Sequence, residues 1–242
     1  MIMEMENVPH IEAYVGEYAS GKSENAVNRA VALHRQGRSV TLVDLDTVEP
    51  CYTLRPIKKE LEELGLTVVA WETRDTVGLG EAGSVIQAAV RWVLRRPGDI
   101  VMDVGYGVHG ARIFNLIEGA MENPHLKIIA VINVSRPFTA TVDDIVDYVQ
   151  SLGRVDALLN NTHLGEETTA NVVERGAREV ARAAEILEPP RRGILHRTLL
   201  LVPGFALGGR GFFGLQVRQG QVVAAREPAP VRRGERQVAA DG

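Results

Sequence analysis

Eight consecutive residues, Gly16-Glu17-Tyr18-Ala19-Ser20-Gly21-Lys22-Ser23, carry the most specific chemistry in this chain. Glycines at the first and sixth places allow a backbone curl in which successive N–H groups converge on an anion. Lys22 adds a mobile positive charge, and Ser23 a hydroxyl suited to a divalent cation. This is the G-x-x-x-x-G-K-[ST] spacing that holds nucleotide phosphates together with Mg2+. The chain contains four lysines, Lys22, Lys58, Lys59 and Lys127, so abundance does not explain a lysine in this slot. The context also fits. An apolar run, Ile11–Val15, enters the loop, and a helical pattern reaching about Gln36 leaves it. The start of that helix contributes unpaired donors and its positive dipole end. Gly16 through Ser23 are therefore expected to contact nucleotide, with Lys22 serving both binding and catalysis.

Acidic strand ends form the second group. Val40-Thr41-Leu42-Val43 runs into Asp44-Leu45-Asp46, and alternation along a strand turns both carboxylates the same way. Ile100-Val101-Met102 closes on Asp103 and continues as Val104-Gly105-Tyr106-Gly107. After a phosphate loop, a carboxylate at the end of an apolar strand is placed to hold Mg2+ through water. Ser23, Asp44 and Asp103 are thus the expected metal set, and the glycines after Asp103 would let a loop close on the terminal phosphate. Taken singly, each aspartate reads equally well as a helix cap or turn former. Asn160-Asn161, after a later strand, reads equally well as a simple turn.

Positioning these groups requires strands and helices in alternation. β-Branched runs predict strands at Ile11–Val15, Ser39–Val43, Leu66–Ala70, Ile100–Val104, Ile128–Asn133, Val155–Asn160 and Thr198–Val202. Helical spacing is clearest over Thr141–Leu152, where Thr141 and Asp144 read as an amino-terminal cap. A second helix is predicted from Glu167 to Leu187, ended by Pro189 and Pro190. The expected fold class is α/β: three layers around a mostly parallel sheet of about seven strands with right-handed crossovers. Phe212–Val223 reads as a hairpin turning at Gln219–Gly220, an antiparallel edge. One domain is expected over 11–225, between a flexible start at 1–10 and a disordered tail at 226–242.

Composition narrows the function classes. With 27 basic and 31 acidic residues among 242, no broad field for nucleic acid or an anionic membrane is expected. No signal-peptide pattern and no apolar run of bilayer length stands out, and the one cysteine, Cys51, suits a reducing compartment. A cytoplasmic protein is the expectation. Cys51 reads as a buried or incidental thiol, with metal binding across a homodimer as the alternative. His109 and His163 read as surface loop residues, or as contacts to nucleotide or partner. Lys58–Glu63 is a solvated mixed-charge helix face.

In order, the phosphate loop, Val43-Asp44-Leu45-Asp46 and Met102-Asp103 resemble the MinD/ParA group of P-loop NTPases, which includes nitrogenase iron protein and CooC-type maturation ATPases. Glu49-Pro50 and the run from Asn160 to Thr168 are similar to its CobQ/CobB branch, and the likeness extends from about Ile11 to Gly209. The resemblance implies Mg-ATP as ligand and a slow ATPase that acts as a switch on a partner protein. Asp46 would orient the attacking water, Asp103 would be the Walker B and switch aspartate, and Asn160 or Asn161 would read adenine. No Asn/Thr-Lys-x-Asp guanine motif occurs, which favours ATP over GTP. One position departs from the pattern: Glu17 stands where MinD and ParA proteins carry a lysine that reaches the partner's phosphates. A carboxylate facing that triphosphate would oppose a sandwich homodimer, unless Arg55 or Arg136 substitutes. MinD's carboxyl-terminal membrane helix has no counterpart here. A biosynthetic enzyme of the dethiobiotin or cobyrinate synthetase type, and a non-hydrolysing scaffold, stay open as alternatives.

Overall fold

Runs of Val, Ile and Leu with little polar interruption make strands that are buried on both faces, the pattern of a parallel sheet between helices. The computed structural model describes residues 8–46, 54, 57–70, 88–187, 215–218 and 221–224. Its strands are β1 (Ile11–Gly16), β2 (Val40–Leu45), β3 (Thr67–Val69), β4 (Asp99–Val104), β5 (Leu126–Ile132) and β6 (Ala157–Asn160). They form one six-stranded sheet in the order β3-β2-β4-β1-β5-β6, and every pairing is parallel.

Two helices, α1 (Lys22–Arg35) and α2 (Lys58–Glu63), precede β2 and β3. Among the described residues four follow: α3 (Ala88–Arg91), α4 (Gly107–Ala111), α5 (Val142–Leu152) and α6 (Ala170–Leu187). Side-chain alternation divides the core into two layers. Tyr14, Leu42 and Val101 pack with Ala26, Ala30 and Leu33 of α1 and Leu61 of α2. Val15, Met102 and Ile132 pack on the other face with Val90, Ile145 and Val180. The expected α/β three-layer class is what the chain adopts.

Polar groups pin the frame at two buried points. Glu12, on the central strand, receives two hydrogen bonds from Arg29 of α1, at 2.8 and 2.7 Å, and one from the Tyr14 hydroxyl at 3.1 Å. Asp99, at the start of β4, is paired with Arg38 and accepts from the His10 N–H at 2.8 Å. Arg38 also donates to the Val8 carbonyl, so the end of the expected flexible start is bonded to the domain.

Element boundaries depart from expectation where pairing or capping decides them. β2 runs on to Leu45 because its ladder with β4 continues that far, which brings Asp44 into register with Asp103. The box at α5 forms: the Thr141 hydroxyl accepts from Asp144 N–H at 3.2 Å, and the Asp144 carboxylate accepts from Thr141 N–H at 3.0 Å. α6 begins at Ala170 rather than Glu167, because Gly165–Glu167 is a separate 3-10 turn closed by Thr168. Leu215–Arg218 and Gln221–Ala224 pair antiparallel, apart from the main sheet. The expected strand Thr198–Val202 and the tail from Arg226 lie outside the described residues. Among the described residues, no helix is long and apolar enough to cross a membrane.

Candidate functional site

β1 delivers the chain to the carboxyl end of the sheet, between β4 and β5, and the eight-residue loop turns there into α1. Ala19 takes a positive φ of 52° and Gly21 one of 90°. Residues of opposite hand in succession turn backbone N–H groups to one side, the geometry of an anion nest. Space as well as φ demands glycine here. A Cβ on Gly16 would meet the Val131 carbonyl oxygen at 2.6 Å, and one on Gly21 would meet the Asn161 amide nitrogen at 2.0 Å. No side chain caps α1, so its first-turn N–H groups lack an intrahelical acceptor and are available to a ligand. Lys22 is buried, and its ammonium donates to the Glu17 carbonyl at 3.0 Å. A phosphate oxygen would replace that carbonyl as acceptor.

The three aspartates converge beneath this loop. Asp44 and Asp103 are register partners on adjacent strands, and Asp103 is also opposite Tyr14, whose ring packs on the α1 face. The Asp44 carboxylate accepts from the Asp46 N–H at 3.0 Å. Asp46 lies against the loop after β4: a Cβ on Gly105 would stand 3.1 Å from its Oδ1. Burial raises the Asp103 pKa well above the usual carboxylate range; the Ser23 hydroxyl and the Lys22 charge oppose the rise, and Asp44 and Asp46 add to it. Neither Asp103 oxygen has a hydrogen bond of ordinary geometry. A buried carboxylate left so, with two more beside it, fits a divalent cation as its missing partner. Among the described residues no three His, Cys, Asp or Glu side chains form a cage for a metal.

The loops after β5 and β6 brace the phosphate loop from the far side. Asn161 is 1% exposed, and its amide donates to the Ser20 carbonyl at 2.7 Å. Asn160 accepts from the Thr162 hydroxyl at 2.6 Å and donates to the Val173 carbonyl at 3.3 Å. Both asparagines expected to read adenine are therefore engaged within the protein, Asn161 on the phosphate loop and Asn160 on α6. The Asn161 Oδ1 atom makes no hydrogen bond and keeps its acceptor capacity. Asn133 joins the two loops: its Oδ1 accepts from Ser135 N–H at 3.0 Å and from His163 N–H at 3.4 Å.

Glu17 also departs from expectation. Its carboxylate does not face outward. It is 7% exposed and accepts from the Phe138 N–H at 3.3 Å and the Thr139 hydroxyl at 3.2 Å. The next residue, Tyr18, is exposed and meets Tyr106 edge-on, ring centroids 5.8 Å apart. Asn133, Thr139 and Thr162 are buried supports that sequence reasoning missed. Only the placement of Asn133 at the end of a predicted strand could have signalled one of them. Cys51, Arg55 and the side chain of His109 lie outside the described residues. His163 sits at the turn before α6, where its Nδ1 accepts from Gly165 N–H at 3.3 Å.

Sheet, phosphate loop and acidic strand ends together define a P-loop NTPase fold. No protein family and no curated protein matches the sequence. Similar solved structures include the cell division protein FtsY of Thermotoga maritima, at 15% identity and a TM-score of 0.52, covering 83% of this chain and 63% of that one. Another is the signal recognition particle 54 kDa protein of Aeropyrum pernix K1 in complex with GDP, at 18% identity and a TM-score of 0.52, covering 90% of this chain and 44% of that one. The chain thus spans less than two thirds of the length of either. These likenesses stand at the level of the fold and do not single out the MinD/ParA group.

Proposed function

We propose that this protein is a Mg-ATP-dependent molecular switch with slow ATPase activity that acts on a partner protein in the cytoplasm. The observation that carries the reading is the buried Asp103 carboxylate, which lacks an ordinary hydrogen-bond partner directly behind Ser23 and the phosphate loop. Lys22 and the backbone N–H groups of 16–23 would bind phosphate, with Tyr18, Ala19 and Ser20 contributing through the main chain. Ser23, Asp103 and Asp44 would hold Mg2+, which supplies charge neutralisation at the transferring phosphoryl group. Asp46 would position the attacking water. Its contact with Gly105 gives hydrolysis a route to the loop after β4, since losing the terminal phosphate would release both segments.

ATP rather than GTP is favoured by the missing Asn/Thr-Lys-x-Asp motif; the similar Aeropyrum protein was solved with GDP. The MinD/ParA resemblance supports nucleotide-dependent self-association, and the inward turn of the Glu17 carboxylate is compatible with it. Titration calorimetry with Mg-ATP and Mg-GTP, followed by phosphate release, tests the whole reading. ATP should bind more tightly, Lys22→Ala should bind at least about tenfold more weakly, and Asp46→Ala should bind but not turn over. Normal ATP turnover in either variant refutes the assigned roles, and tighter GTP binding reassigns the ligand.

A further inference from the structure

Glu17 has a carbonyl and a carboxylate, and both are in use. The carbonyl accepts from Lys22 Nζ at 3.0 Å and from Ser20 N–H at 3.2 Å. The carboxylate reaches across to the turn after β5, to Phe138 N–H and the Thr139 hydroxyl. Thr139 is fully buried and lies 2.9 Å from the Asn133 carbonyl, which it can reach as an alternative acceptor. The turn it belongs to, Pro137–Thr139, carries Phe138, which is 67% exposed. Tyr148 of α5 lies close enough to feel the same charge. Burial raises the pKa of its hydroxyl, the Glu17 charge raises it further, and a backbone contact at Gly107 opposes the rise. A buried carboxylate with donors from a separate turn is a mechanical tie, because moving either end alone would strand it.

We propose that Glu17 is a positioning residue that couples the phosphate loop to the Pro137–Thr139 turn, so that occupation of the nucleotide site moves Phe138 on the surface. The inference rests on the reading of Gly16–Ser23 as a nucleotide site. Nucleotide draws Lys22 off the Glu17 carbonyl, the Glu17 peptide adjusts, and its carboxylate carries the turn with it. Phe138 then reports the state of the site to whatever contacts that surface.

Two neutral substitutions separate this tie from a simple effect of charge. In Glu17→Gln, the amide oxygen can accept from Phe138 N–H and the amide nitrogen can donate to Thr139 Oγ1, whose own proton goes to the Asn133 carbonyl. In Glu17→Ala the same charge is lost and both bonds go with it. Each is made in the full chain with Phe138→Trp as a surface fluorophore, and the contribution of Trp71 and Trp92 is subtracted from the chain without it. Mg-ATP is the probe, and calorimetry measures binding independently of emission. The expected result is an emission change on ATP binding that Glu17→Gln retains and Glu17→Ala loses, with Glu17→Ala binding ATP about tenfold more weakly than Glu17→Gln, equivalent to about 1.4 kcal/mol. Thr139→Val should lose part of the emission change and add nothing to Glu17→Ala. Equal behaviour of the Gln and Ala variants overturns the inference, as does ATP binding that leaves the emission of the Phe138→Trp protein unchanged. Absence of ATP binding in the calorimeter overturns the nucleotide-site reading itself, and the coupling with it.

Discussion

Gly21→Ala tests the brace between the phosphate loop and the end of β6. An added Cβ would lie 2.0 Å from the Asn161 amide nitrogen, which donates to the Ser20 carbonyl at 2.7 Å. The two atoms cannot share that space, so the amide must swing away and break its bond. Leaving that buried carbonyl without its donor costs about 1–3 kcal/mol. Alanine at a φ of 90° adds a strain that glycine does not feel, about 1–2 kcal/mol. The expected destabilisation is the sum, about 2–5 kcal/mol. Asn161→Ala alone should cost about 1–3 kcal/mol, since it loses the bond without the strain. Because the same bond is lost in both, the double variant should be less destabilised than the sum of the singles, by about 1–3 kcal/mol. Urea unfolding of the four proteins without nucleotide measures this, read from midpoints at constant slope. A Gly21→Ala variant as stable as the parent, or strict additivity with Asn161→Ala, would refute the reasoning.

Two further predictions concern the frame that carries the site. Arg29→Ala leaves Glu12, 6% exposed on the central strand, with the Tyr14 hydroxyl as its remaining side-chain donor; with the arginine 28% exposed, we expect a loss of about 3 kcal/mol. Calorimetric melting should then fall by about 6–12 °C, and a fall under about 2 °C would show that the pair contributes little. The Asp99 pKa lies below its ordinary value: burial would raise it, but hydrogen bonds from Arg38 and the His10 N–H, with their charges, outweigh burial. The folded-state pKa is depressed, so the stabilisation is present above the unfolded value of about 4 and is lost as pH falls through the lower folded one. Urea midpoints from pH 6 to 3 should drop for the parent below about pH 4 and change less for Asp99→Asn; parallel profiles would count against this account.

By itself the sequence determined what depends on local spacing. The phosphate loop was legible because its function needs glycine, lysine and serine at fixed intervals between a strand and a helix. The strands were legible because burial on both faces demands unbroken runs such as Ile100-Val101-Met102. The cap at α5 could be read because Thr141 and Asp144 are three residues apart and need no distant partner. Tertiary structure decided which distant groups meet. Strand order made Asp44 and Asp103 neighbours, although each had been visible separately as an acidic strand end. It turned Asn161 onto Ser20, 141 residues away, and Asn160 onto Val173. It also turned the Glu17 carboxylate inward to Phe138, 121 residues on, where the sequence pattern had suggested an outward charge. A side chain's direction follows from the partners that packing brings within hydrogen-bond reach, and local periodicity holds no record of a partner more than a hundred residues away.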